Sequence, residues 1–190
     1  AGTAAGTPAS TDVSRRWHRG LGALALATLG TLTAPPALAA DGDLTTDATL
    51  VGDYRWRGIS QSRLGPALQG GVMLEQKDAY ATARRSAIRW VKDANGNAPA
   101  ELLLQAGLRG RLTPELTWHL GGNARLFPAH DLATSPDTVE LHGGVSMGVF
   151  TVRLHHGLTN FVGWSGSRGS RYLELEGHWS VAGVDIVPHV

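Results

Sequence analysis

From residue 40 onward, apolar and polar residues alternate with a period of two, the spacing of a β-strand with chemically different faces. The clearest run is Leu116 to Leu126, where Leu116, Trp118, Leu120, Ala124 and Leu126 oppose Thr117, His119, Asn123 and Arg125. Leu102, Leu104, Ala106 and Leu108 likewise oppose Glu101, Gln105, Arg109 and Arg111, and Leu68, Val72 and Leu74 oppose Gln69 and Glu75. Val139, Leu141, Val145 and Met147 oppose Glu140, His142 and Ser146; Phe150, Val152, Leu154 and Leu158 oppose Thr151, Arg153, His155 and Thr159. Leu173, Leu175 and Trp179 oppose Glu174, Glu176 and His178, and Val184 and Ile186 begin a last, incomplete strand. The first strand is expected to run through residues 47–57, with Ala48, Leu50, Tyr54 and Trp56 on one face and Asp47, Thr49, Asp53, Arg55 and Arg57 on the other. Between residues 79 and 91 the phase slips at Arg84-Arg85 and resumes at Ile88 and Trp90, which predicts a bulge.

The links between these runs alternate in length. Residues 60–65, 91–99, 128–136 and 163–170 are long and polar, whereas Lys77-Asp78, Thr113-Pro114, Gly148 and Ser180 mark short turns. Long external loops and short periplasmic turns are the pattern of a transmembrane β-barrel, which places the mature N-terminus in the periplasm. The expected fold is therefore all-β, an antiparallel transmembrane β-barrel over residues 40–190. About nine strands are visible, the last unfinished. Because bacterial barrels are even-numbered and closed, ten or twelve strands are expected, with at least one beyond Val190.

Residues 1–39 carry a different message. Arg15, Arg16 and Arg19 precede an apolar run from Leu21 to Leu32, Pro35-Pro36 end it, and Ala37-Leu38-Ala39 supplies a small-x-small exit. This is the order of a helical secretory signal peptide, cleaved after Ala39, behind a short N-terminal extension. The apolar run is too short to span a bilayer as a helix.

Alternation alone also fits a soluble barrel, so the face that meets lipid is argued from aromatic placement. Tyr54, Trp56, Trp90, Phe127 and Trp164 fall near the long-loop ends, and Trp118, Phe150 and Trp179 near the short-turn ends. Two aromatic girdles around an aliphatic band match the two interfaces of a bilayer. The opposite face then lines a lumen with Asp53, Arg55, Arg57, Glu75, Glu101, Arg109, Arg125, Glu140, Arg153 and Glu174. So many ionisable groups need water or mutual pairing, because a dry core holds unpaired charge only at great cost.

Composition narrows the chemistry further. There is no Cys, so disulfides and thiolate metal sites are excluded. Net charge is +1, and without residues 1–39, which carry three Arg and one Asp, it becomes −1. Such a balance gives no case for a nucleic-acid partner. His142 and Ser146 share a face but lie roughly 13 Å apart, too far for a nucleophile and its base. His119 stands isolated in the sequence, and His156 falls on the apolar face. No catalytic residue, metal ligand or cofactor is assigned.

The stretch Val51-Gly52-Asp53-Tyr54-Arg55-Trp56-Arg57-Gly58-Ile59-Ser60-Gln61-Ser62 resembles the opening strand of the TorF family of porins. Pro66-Ala67-Leu68-Gln69-Gly70-Gly71 resembles the start of that family's second strand, and Glu101 to Gly107 a later one. Trp56 stands where the family often has Phe, and Arg63 where it commonly has an acidic residue. The resemblance implies an outer-membrane barrel and pore, with no particular solute.

The function expected is passive diffusion of small solutes through a polar lumen in a Gram-negative outer membrane. Its partners would be membrane lipid, lipopolysaccharide, the solutes and the barrel-assembly machinery. The alternatives are an outer-membrane lipid-modifying enzyme, a structural or adhesive barrel without a channel, and a secreted soluble ligand-binding barrel.

Overall fold

The structure, a computed structural model, describes residues 42–188. The signal-peptide reading of residues 1–39, with cleavage near Ala39, lies outside them. The described chain is built of strands. β1 (Asp43–Val51) leads into a small hairpin, β2 (Arg55–Trp56) and β3 (Ile59–Ser60). β4 (Ala67–Gln76), β5 (Ala79–Ala87), β6 (Ala100–Arg111) and β7 (Leu116–Leu126) follow, then β8 (Thr138–Met147), β9 (Phe150–Gly157) and β10 (Arg171–Gly177). A second hairpin, β11 (Trp179–Val181) and β12 (Val184–Ile186), comes last.

Eight strands form one antiparallel sheet in the order β1-β4-β5-β6-β7-β8-β9-β10. Each is joined to its neighbour in sequence except where the β2–β3 hairpin intervenes. β1 and β10 are the edges, and among the described residues they do not pair with one another. The sheet is thus an open wall rather than the closed barrel expected.

The wall curls. Tyr80 on β5 hydrogen-bonds His142 on β8, Oη to Nε2, at 3.1 Å. Three strand spacings on a flat sheet come to about 14 Å, beyond the reach of those two side chains, so their shared face is concave. Glycines make the contact possible. Gly107 on β6 and Gly121 on β7 face each other in register, and a Cβ on either would meet the Tyr80 side chain at 3.0 Å or less. The phenol therefore lies across two strands that carry no side chain there. A Gly121→Val substitution is expected to lift it off His142 and cost about 1–3 kcal/mol, the usual penalty for overpacking. Urea unfolding of the variant beside the wild type measures this.

The two faces are inverted relative to a soluble sheet. Leu104, Leu108, Leu120, Leu141, Leu154 and Leu173 are exposed, whereas Glu101, Arg125, Glu140 and His142 are buried on the concave side, each under 9% exposed. The alternation expected from the sequence holds along β4 and β6 to β10, and apolar residues take the outer face.

Several expected details differ. β1 ends at Val51, so residues 52–57 do not extend the first strand; Gly52-Asp53 turn the chain and the β2–β3 hairpin follows. No bulge occurs at Arg84-Arg85, which pair in unbroken register with Gly71 and Gly70 on one side and Leu103 and Leu102 on the other. The apparent slip arises because β5 ends at Ala87, leaving Ile88 in the loop and Trp90 in a 3₁₀ turn, Trp90–Ala94. The strand through Leu173 and Leu175 is also shorter than its pattern. Gly177 closes β10, and Trp179 belongs to the separate β11–β12 hairpin.

Candidate functional site

The long connections gather at one end of the sheet and fold inward. Residues 52–66, between β1 and β4, carry the β2–β3 hairpin across the concave face. Local bonds set its shape. Asp53 accepts hydrogen bonds from the hydroxyls of Ser60 and Ser62, the latter at 3.1 Å, and its other oxygen pairs with Arg55 Nε at 2.7 Å. The Tyr54 amide donates to Ser62 Oγ at 2.9 Å. The Ser60 hydroxyl bond, with lesser help from Ser62 and Arg55, holds the Asp53 carboxyl below the usual range.

The hairpin is anchored at two points. Tyr54 donates its hydroxyl hydrogen to Glu101 on β6, and Arg125 on β7 donates both to Glu101 and, at 2.9 Å, to the Tyr54 oxygen. The Glu101 side chain is fully buried and that of Arg125 is 7% exposed. Burial pushes the Tyr54 phenol up from 10.0 to about 12. A raised folded value means that the contact's stabilisation is whole below pH 10 and is lost as pH rises towards 12. The expected result is an alkaline loosening of the hairpin in that window, absent in Tyr54→Phe. Tyrosinate absorbance and tryptophan fluorescence recorded together follow it.

The second anchor is Arg57, whose Nη2 donates to Glu140 Oε2 on β8 at 2.8 Å. Its guanidinium also lies over three rings, 5.0 Å from the centroid of Trp56, 5.3 Å from Phe161 and 4.3 Å from Tyr172. Trp56 in turn stacks on the Arg125 guanidinium at 3.9 Å and on Phe161 at 5.0 Å. Beside these groups is a cavity of about 230 Å³, bordered by Arg57, Glu140, Phe161, Trp164, Arg171 and Tyr172.

A small apolar core seals the same end. Ile88, Val91, Ala98 and Phe127, all from the β5–β6 and β7–β8 connections, pack together with Tyr54, Trp90 and Leu132 around them. Trp90 meets Phe127 edge-on at 5.3 Å.

Deeper on the concave face the polar side chains pair among themselves. Arg153 on β9 donates to Glu174 on β10 at 2.6 Å and to His119 on β7 at 3.1 Å, and His155 lies 3.2 Å from the same Glu174 oxygen. The rings of His119, His142 and His155 follow one another at 5.9 and 5.6 Å. Arg109 pairs with Glu75 towards the short-turn end. Among the described residues, no group of three or more His, Asp or Glu is placed to hold a metal ion.

The lumen candidates thus divide. Glu75, Glu101, Arg109, Arg125, Glu140, Arg153 and Glu174 share the concave face in ion pairs, with Arg57 brought to them by the hairpin. Asp53 and Arg55 pair with each other outside the sheet, and the Arg55 side chain is half exposed. The girdle candidates divide too. Phe150, Trp164 and Trp179 are exposed, and Trp118 is partly exposed beside Val145 on the apolar face. Tyr54, Trp56, Trp90 and Phe127 are corrected: they turn inward, against Glu101, Arg125 and the loop core. They sit where the chain has left the eight-stranded sheet, so its strand parity no longer governs them.

Tyr80, His119, His142, His155 and Tyr172 share the polar parity of their strands, although neither Tyr80 nor His119 has a charged or histidine neighbour in sequence to mark it. That shared parity was the available signal. His142 and Ser146 do not meet; Ser146 bonds Thr151 at 2.9 Å.

No curated protein and no solved structure matches the chain. Residues 37–190 match a family described as "Bacterial protein of unknown function (Gcw_chp)". With most of its length inside that match, the chain belongs to the Gcw_chp family.

Proposed function

We propose that this chain forms the wall of an outer-membrane β-barrel that passes small solutes along its polar face. The observation carrying the proposal is the inversion of the sheet, with leucines and valines exposed and ion pairs lining the concave side, those of Glu101 and Glu140 buried. A leucine-covered face of that extent needs an apolar partner, and lipid is the partner that suits every strand at once. In lipid the free edges of β1 and β10 must be paired, since unpaired backbone groups in hydrocarbon are costly. The short-turn end carries exposed Phe150 and Trp179, edge-on at 5.7 Å, at the level where an aromatic ring has one side in headgroups. The resemblance of residues 51–62 and 66–71 to the TorF porins supports the same reading.

A wall of about eight strands encloses little more than its own side chains. The passage would therefore be narrow, with the β2–β3 hairpin as its constriction. Its lining carries both signs of charge, so bulk ion selectivity would be weak. Planar-bilayer recording of the full-length protein tests this. The wild type is expected to give small, frequently closed currents, and Arg57→Ala, which frees one anchor of the hairpin, larger ones. Folded protein that carries no current in either form would reject the channel.

A further inference from the structure

Arg57 is an unusual residue for its place. Trp56 and Ile59 pair across a two-residue turn in which Arg57 (φ 49°) and Gly58 (φ 77°) both take the left-handed region. Turns of that form favour Asn-Gly, and a long side chain in the first position is conformationally costly. Val162, next to Phe161, also has positive φ, at 48°, which is rarer still for a β-branched residue, and its amide is held by Thr138 Oγ1 at 2.9 Å. Two strained residues therefore bring a guanidinium and a phenyl ring together. They are two of nine non-glycine residues with positive φ among the described residues, and the two that flank this guanidinium–ring contact.

The arrangement itself is a cation cage. Phe161 and Tyr172 offer ring faces, Glu140 offers a buried carboxylate, and the cavity beside them is bordered also by Trp164 and Arg171. Ring faces and one carboxylate around a delocalised cation are the chemistry by which guanidinium and alkylammonium ligands are recognised. The cavity is smaller than the roughly 300–1,000 Å³ of sites for drug-sized ligands, which suits a small solute.

We propose that Glu140, Phe161 and Tyr172 form a binding site for small organic cations of the guanidinium type, and that Arg57 fills it from within as a tethered substitute. The inference deepens the channel reading, on which it rests for a route to the site. It assigns the solute class and makes the hairpin a lid that a cationic solute displaces. Arg57 competes at high local concentration because it is attached, so free ligand meets a mostly filled site in the wild type.

Calorimetric titration of methylguanidinium into detergent-folded full-length protein tests this, with methylurea as the neutral analogue. Arg57→Asn, which suits the turn, should bind methylguanidinium at least about tenfold more tightly than the wild type. Glu140→Gln in that background should abolish the binding, and methylurea should not bind. Arg57→Ala serves in place of Arg57→Asn if the latter does not fold by circular dichroism. Equal affinity in wild type and both Arg57 variants, or equal binding of methylurea, would overturn the proposal. Because binding is read without current, a closed or absent channel leaves this result intact.

Discussion

Replacing Glu101 with alanine is expected to cost about 3–5 kcal/mol of stability, the range for removing one partner of a buried ion pair. Arg125 would keep its charge in a place where its side chain is 7% exposed, with the Tyr54 hydroxyl left as its hydrogen-bond acceptor. The loss comes less from the missing attraction than from the cation left uncompensated. Glu101→Ala combined with Arg125→Leu should therefore recover part of the stability. Urea unfolding from lipid vesicles measures all three proteins. A cost below about 1 kcal/mol for Glu101→Ala would place the pair in the regime of exposed salt bridges. The two charges would then be hydrated, and the concave face wide and wet rather than filled.

The second large effect concerns the opposite face. Leu120 is 59% exposed at the middle of β7, flanked in register by Leu108 and Gly143. If that face meets hydrocarbon, Leu120→Arg should destabilise the folded protein by about 2–4 kcal/mol, the penalty for arginine near a bilayer midplane. If the face meets water, the same change should be close to neutral, as for ordinary surface substitutions. A polar exchange on the other parity of the same strand, Asn123→Ser, should change little in either case. The pair of variants separates lipid from solvent without reference to channel activity.

Much of the fold was legible in the chain. Period-two alternation located β4 and β6 to β10, and the long-short rhythm of links gave the antiparallel hairpins. Both follow from backbone geometry, because successive side chains on a strand must point to opposite faces. Runs such as Leu116 to Leu126 obey that rule without help from distant residues. The rule weakens where the strand stops. Residues 52–57 look like a continuation of β1, yet two serine hydroxyls on Asp53 and the Arg57-Gly58 turn fold them into a hairpin. No periodicity records that event.

The candidate site was legible in its ingredients and not in its assembly. Glu101, Arg125, Glu140, Arg153 and Glu174 stand out as charges at polar parity, but their partners come from other strands. The distance in sequence from Arg57 to Glu140, or from Tyr80 to His142, makes these pairings invisible until the sheet curls. Aromatic residues misled for a related reason. Trp90 and Phe127 lie at strand ends as an outer girdle would require, but loops can carry a ring to either side of the wall.

By itself, then, the sequence determined what is local: strand-forming runs, the chemistry of their two faces, the alternation of turns and loops, and the absence of cysteine chemistry. The tertiary structure alone decided what is distant. It chose which loop folds inward, which arginine meets which carboxylate, and which glycines stand beneath Tyr80. The division is physical. Side-chain direction along a strand follows from the backbone, whereas contacts across a curved sheet depend on register and curvature that many strands set together.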